Sequence, residues 1–315
     1  MATASRKTVA MLFLGGATID ERNRLGDTVT KAAHVKPWLK AMSEMDIIAE
    51  TQGVFIASGI AAVGVPEWQQ VAEAIRELYD EVDGFVIVHQ LETIPAAATA
   101  LSLMFTSLGK PVVLCGSALV SLEERSPGRR SIKNVVADFG AKASFINAVQ
   151  VAVSDISGVV VVYGSHIYRG NTVVGPMTAV HGDILGKIDF GIRFFGHHDA
   201  RHGRALKIVS SFATNIDVVE YLPGVDVRHL VHIPRGTVAV FLTAPEATQA
   251  LSNAVIQVRA VVPETMPVIL YGSDSSGTMS GVCPVRALSR SAALLKTMWA
   301  LGQTSDLKKL RKLLS

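Results

Sequence analysis

Short runs of apolar residues alternate along the chain with longer stretches in which apolar residues recur every three or four positions. The runs TVAMLFL (8–14), FVIVH (85–89), KPVVLCG (110–116) and GVVVVYG (158–164) predict buried strands, because both faces of each are apolar. Between them, AHVKPWLKAMSEM, VPEWQQVAEAIRELYDEV, IPAAATALSLMFTSL and SIKNVVADFGAKASFINAVQVAVS predict helices. In the second of these, Pro66 stands in the first turn, and Trp68, Val71, Ile75 and Leu78 share one face. Strand alternating with helix is the pattern of a doubly wound, mainly parallel α/β sheet.

From about Phe190 the texture changes. FGIRFFGHHDARHGR mixes Gly, His and Arg and reads as a linker. A second alternating set comes after it: ALKIVSSF, VRHLVHI, GTVAVFLT, a helix over 244–261, PVILYGS and a helix over 286–302. The expected organisation is a larger domain over 1–190, a linker over 191–205 and a smaller α/β domain over 206–315.

Composition narrows the function classes. The chain has 315 residues, 49% of them hydrophobic and 18% charged, with a mean hydropathy of +0.35. A large core is therefore expected, with some apolar surface left for burial between protomers. Net charge is only +3, and the one dense basic run, KKLRKLL (308–314), reads as a solvated helical face. Nucleic acid is not expected as a partner, since phosphate backbones call for a concentrated basic patch. The apolar run at the N-terminus, Val9 to Leu14, ends at Gly15-Gly16 and reads as a first strand rather than a signal peptide. No stretch is apolar for long enough to predict a membrane span. Cys115 and Cys283 are far apart in apolar runs and read as buried free thiols in a reducing, cytoplasmic setting.

Few motifs carry candidate chemistry. LGGATI (14–19) lacks the G-x-G-x-x-G spacing of a dinucleotide site and reads as a tight turn. HHDARH (197–202) has no periodicity that would bring three or four zinc ligands together, so no metal is assigned. In GSDSSGTMSG (272–281) no serine has an adjacent base, and the stretch reads as a loop. His89 ends the strand FVIVH, where a histidine can act as acid or base or serve as a hydrogen-bonded structural residue. No cofactor motif stands out.

Several segments together resemble the L-asparaginase family, especially the type I cytoplasmic enzymes and the amidotransferase D subunits. GFVIVHQLETI (84–94) is similar to that family's GFVITHGTDTM, KPVVLCGSALV (110–120) to its KPVVITGAMRP, and LGGATI to its TGGTIA. GKIDF (186–190) and TMWALGQTSD (297–306) resemble family segments in the same order, so the resemblance runs from near residue 10 to near residue 306. It implies two α/β domains, a homo-oligomer (dimer or tetramer), and hydrolysis of the side-chain amide of asparagine or glutamine. In such enzymes a threonine attacks, and an aspartate and a lysine support a second threonine.

This chain departs from the pattern at those positions. The opening threonine of TGGTIA falls on Leu14 or Gly15, while Thr18 matches the motif's second threonine. The threonine and aspartate of HGTDT fall on Leu91 and Glu92. The lysine falls near Gly175, and no lysine occurs between Lys142 and Lys187. The loop tyrosine is missing, the first tyrosine being Tyr79. The substrate-binding serine turn corresponds to GIAAVG (59–64), which is apolar at Ile60 and Ala61 and leaves Glu92 as the polar family position.

Leucine and glycine can neither attack an amide nor take up a proton. The expectation is therefore a homologue that has lost amide hydrolysis and serves a binding, structural or subunit-partner role. The alternative is an active amidohydrolase with rewired residues, with Thr18 as nucleophile and Glu92 or His89 as base. A third reading is a site for an apolar ligand lined by Ile60, Val63 and Leu91.

Overall fold

In the computed structural model, TVAMLFL forms β1 (Thr8–Leu14), and six of its seven residues are buried. The structure describes residues 6–14, 18–19, 25–26, 29, 31–58, 63–116, 132–175, 180–195, 197–222, 224–243, 248–272 and 280–315. The chain separates into two units, 1–209 and 210–315; the stretch 191–205 lies in the first.

After β1 the first unit continues with β2 (Thr18–Ile19), β3 (Leu25–Gly26), α1 (Val35–Ala41), β4 (Glu50–Ala57), α2 (Val65–Leu78), β5 (Gly84–His89) and α3 (Ile94–Met104). Then come β6 (Phe105–Ser107), β7 (Pro111–Cys115), α4 (Ile132–Ala152), β8 (Gly158–Tyr163), β9 (His166–Arg169), β10 (Ile184–Ile188), β11 (Ile192–Phe194) and β12 (Lys207–Ile208). Eight of these strands form one sheet in the order β11-β10-β9-β8-β7-β5-β1-β4. The strands from β4 to β8 are parallel, and β9, β10 and β11 extend the sheet antiparallel. Separately, β6 pairs with β12, so the end of IPAAATALSLMFTSL, expected as helix, leaves the helix at Phe105.

Local chemistry explains the boundaries. Pro66 sits at the start of α2, and the Glu67 carboxylate accepts the Gly64 N–H at 2.9 Å, satisfying a donor that the first turn leaves free. On one face of the sheet, Trp38 of α1 stands edge-on to Phe13 of β1 and Phe145 of α4, at 5.0 and 5.2 Å between ring centroids. Gly53 of β4 makes room for α1, since a Cβ there would lie 2.2 Å from Val35 Cγ1. Both cysteines are buried and free.

The second unit carries β13 (Ile216–Glu220), β14 (Ala239–Thr243), α5 (Thr248–Arg259), β15 (Val268–Tyr271), β16 (Val282–Pro284), α6 (Arg290–Gln303) and α7 (Leu307–Leu314). Its strands pair in parallel in sequence order. Ser289 and Asp306 cap α6 and α7 by accepting the N–H groups of Ala292 and Lys309. VRHLVHI, expected as part of the alternating set, instead opens with a 3-10 turn at Val227–His229. The strand there is IDVVE. In KKLRKLL the solvated face is backed by Leu310 and Leu314, both fully buried. No helix among the described residues is long and apolar enough to cross a membrane.

Candidate functional site

The chain leaves β1 toward β4 on one side and leaves β5 toward β7 on the other, so winding reverses between β1 and β5. In open α/β sheets the crevice beyond the strand C-termini at such a reversal is where ligands bind. Leu14 and His89, the last residues of β1 and β5, are in register. The segment that leaves β5 therefore bounds the crevice.

After β5 the chain turns through Gln90 and a 3-10 turn, Leu91–Thr93, into α3. Leu91 is buried at 7% exposure, while Glu92 is exposed. Across the strand end, Gly116 lets the tail of β7 pass the His89 carbonyl, because a Cβ there would come within 2.2 Å of that oxygen.

His89 is fully buried. Its Nδ1 lies 2.9 Å from the Gln90 carbonyl oxygen and 3.3 Å from Thr93 Oγ1. A lone pair on Nδ1 would face the Gln90 oxygen at close range, so Nδ1 carries the proton and donates it to that carbonyl. The Thr93 hydroxyl therefore has no free base in His89. Nε2 has no hydrogen-bond partner among the described residues. Burial pushes the imidazole pKa down from 6.5 to about 4, and the Gln90 contact only partly opposes this.

This predicts a pH effect. As pH falls from 6.5 toward 4, the unfolded chain gains a proton on this group that the folded chain refuses. The stability His89 confers is present above that window and lost through it, by on the order of 3 kcal/mol once pH is below both values. Urea midpoints should fall more steeply across that range in the native protein than in His89→Gln. Equal slopes would refute the assignment.

The other expected site residues separate into two groups. Thr18 has its backbone on β2, paired antiparallel with Gly26. Val63 is half-buried just before α2. Gly175 is exposed and has φ +82°, a left-handed conformation that a lysine would adopt only under strain. Gly15, Ile60 and Ala61 lie outside the described residues. Sequence reading passed over Thr93; its only signal is the four-residue spacing from His89 across a turn. Among the described residues no group of three or more His, Cys, Asp or Glu is placed to hold a metal ion. The described turn Gln90–Thr93 carries a single ionisable side chain, that of Glu92. As it stands it offers a carboxylate acceptor and an apolar wall, without an activated nucleophile.

Residues 8–179 match the family model described as Asparaginase, N-terminal. L-asparaginase 1 of Escherichia coli (strain K12) is 27% identical, with 98% of this chain and 96% of that protein covered. The D subunit of glutamyl-tRNA(Gln) amidotransferase from Methanosarcina mazei is 26% identical, over 96% of this chain and 75% of that one. The fold superposes on L-asparaginase I from Vibrio cholerae with a TM-score of 0.74 at 21% identity, covering 99% and 98% of the two chains. It superposes on the "Probable Cytoplasmic L-asparaginase" from Campylobacter jejuni with a TM-score of 0.71 at 21% identity, covering 98% and 99%.

Proposed function

Because this chain belongs to the asparaginase family, we propose that it has kept the family's scaffold while losing hydrolysis of the asparagine and glutamine side-chain amides, and that it acts as a binding or subunit-partner protein. The observation that carries this reading is the turn after β5. Where the resemblance calls for a threonine hydroxyl the chain has Leu91, and its side chain is buried. The position that would hold the lysine, Gly175, has a backbone conformation suited to glycine. His89, the nearby histidine, is fully buried, so its ring is closed off from solvent. An amino-acid substrate also brings an ammonium and a carboxylate, and leaving either unpaired against apolar groups costs several kcal/mol.

The role of partner is supported by a relative whose own name makes it one component of an amidotransferase. The protein assembles as a homo-oligomer or with a second chain, and works in the cytoplasm. The apolar surface for assembly includes Phe190, which is fully exposed at the β10–β11 hairpin.

The test is ligand-dependent melting. L-asparagine, L-aspartate and L-glutamine should leave the melting temperature unchanged, since only a ligand that binds the native state raises it. A clear rise with any of them would contradict the reading.

A second reading, an active amidohydrolase, is favoured by the near full-length match to proteins named L-asparaginase. It requires Thr18 to attack with Glu92 or His89 as base. In that case Thr18→Ala would abolish ammonia release, and unchanged release would exclude Thr18.

A further inference from the structure

At the opposite, N-terminal end of the parallel strands, the segment 199–208 runs as a strap past the starts of β5, β7 and β8. It is tied down at several points. The Asp199 carbonyl accepts the Ser157 N–H at 2.8 Å, His202 N donates to the Gly109 carbonyl at 3.2 Å, and β12 pairs with β6. Arg201 inserts its guanidinium among the carbonyls of Ala152, Ser154 and Asp83.

Two cavities flank this strap. One, of 740 Å³, is lined by Arg76, Asp80, Lys110, Arg204 and Lys207 among others. The other, of 720 Å³, adjoins it and shares His202, Arg204 and Lys207 in its wall. Neither Arg204 nor Lys207 has a carboxylate within ion-pair distance among the described residues, although the chain as a whole has nearly as many acids as bases. Lys110 points its ammonium at the carbonyls of Tyr79 and Val82 and lies 4.7 Å from the Tyr79 ring centroid, again without a carboxylate partner. Burial pushes the Lys110 pKa down, and the nearby Asp80 and Asp83 carboxylates oppose the shift. Asp80 and Asp199 are the acids in the two walls.

We propose that this strap and its two cavities form a binding site for a small phosphate ester carrying at least two phosphoryl groups, of the size of a nucleoside diphosphate. Arg204 and Lys207 sit where the cavities meet, so a diphosphate there can reach both while the remainder of the ligand extends into either cavity. A guanidinium beside an ammonium suits phosphate oxygens, because the planar fork donates to two of them and the point charge to a third. The strap's backbone bonds fix the positions from which these two exposed side chains reach, which limits the ordering left for a ligand to impose. The site lies at the end of the sheet remote from the β1–β5 crevice, so the proposal stands whether or not that crevice hydrolyses amides.

Isothermal titration of the full chain at fixed ionic strength, with ADP, pyrophosphate, inorganic phosphate and citrate, tests it. ADP and pyrophosphate should bind, inorganic phosphate more weakly, and citrate least. Lys207→Gln should weaken pyrophosphate roughly tenfold, and the double variant Arg204→Gln/Lys207→Gln roughly a hundredfold. Lys308→Gln, an exposed cation of the second unit, should leave the affinity unchanged. The proposal is overturned if none of the phosphates binds, if citrate matches pyrophosphate, or if the strap variants and Lys308→Gln behave alike.

Discussion

Arg201→Ala should lower the stability of the first unit by roughly 3 kcal/mol or more. The guanidinium donates from Nε to the Ser154 carbonyl at 2.6 Å and from Nη2 to the Ala152 carbonyl at 2.7 Å, and from Nη1 to the Asp83 carbonyl. Ala152 ends α4, so the last carbonyl of a 21-residue helix, and that of Ser154 just beyond it, accept from a cation placed where the helix dipole favours one. Asp83 immediately precedes β5, and a Cβ at Gly84 would lie 2.1 Å from the Ala152 oxygen. One side chain therefore fixes the end of α4, the start of β5 and the strap. Alanine leaves three carbonyls at a half-buried junction without their donor. Arg201→Lys should recover only part of the loss, because a single ammonium cannot reproduce the fork. Urea midpoints of the three proteins check this, and a loss below about 1 kcal/mol for alanine would refute the clamp.

Trp38→Ala should cost about 3–5 kcal/mol. The indole is buried at 3% exposure between Phe13 and Phe145, in near-perpendicular contacts at 79° and 84°. Met42, Met45 and Phe145 in the same cluster are fully buried, so little can move in to fill the space. Removing the ring deletes apolar burial and two edge-to-face contacts, and leaves a cavity under β1, the strand whose end bounds the crevice. Trp38→Phe keeps part of both and should cost clearly less. The check is chemical denaturation of all three proteins; alanine and phenylalanine variants of equal stability would show that aromatic packing is not what holds α1 to the sheet.

How much of this was legible in the sequence depends on how each element is buried. β1, β5, β7 and β8 announce themselves because both faces are covered and nearly every position is apolar. β4 does not, because as an edge strand its residues after Glu50 are half-buried and ETQGVFIA neither alternates nor runs apolar. β9 to β11 are short antiparallel additions mixing His, Arg and Lys with Ile, and no local pattern marks them. In the second unit VRHLVHI has strand-like composition, but Asp226 caps a 3-10 turn there through Arg228 N. Propensity yields to that local bond.

The crevice was reachable from the sequence because a polar turn after an apolar run marks a strand tip. The state of His89 was not, since its burial and its bond to Gln90 depend on how β1 and β7 close around it. Arg201 was hidden in HHDARH for a similar reason. One of its partners, Asp83, is 118 positions away, and nothing nearby signals it.

The central claim is that the family's scaffold persists here without its amide chemistry, and ammonia release tests it most directly. Purified protein incubated with L-asparagine or L-glutamine, read by a coupled assay, should produce ammonia at the rate of the protein-free blank. Sustained turnover that scales with protein concentration would contradict the account.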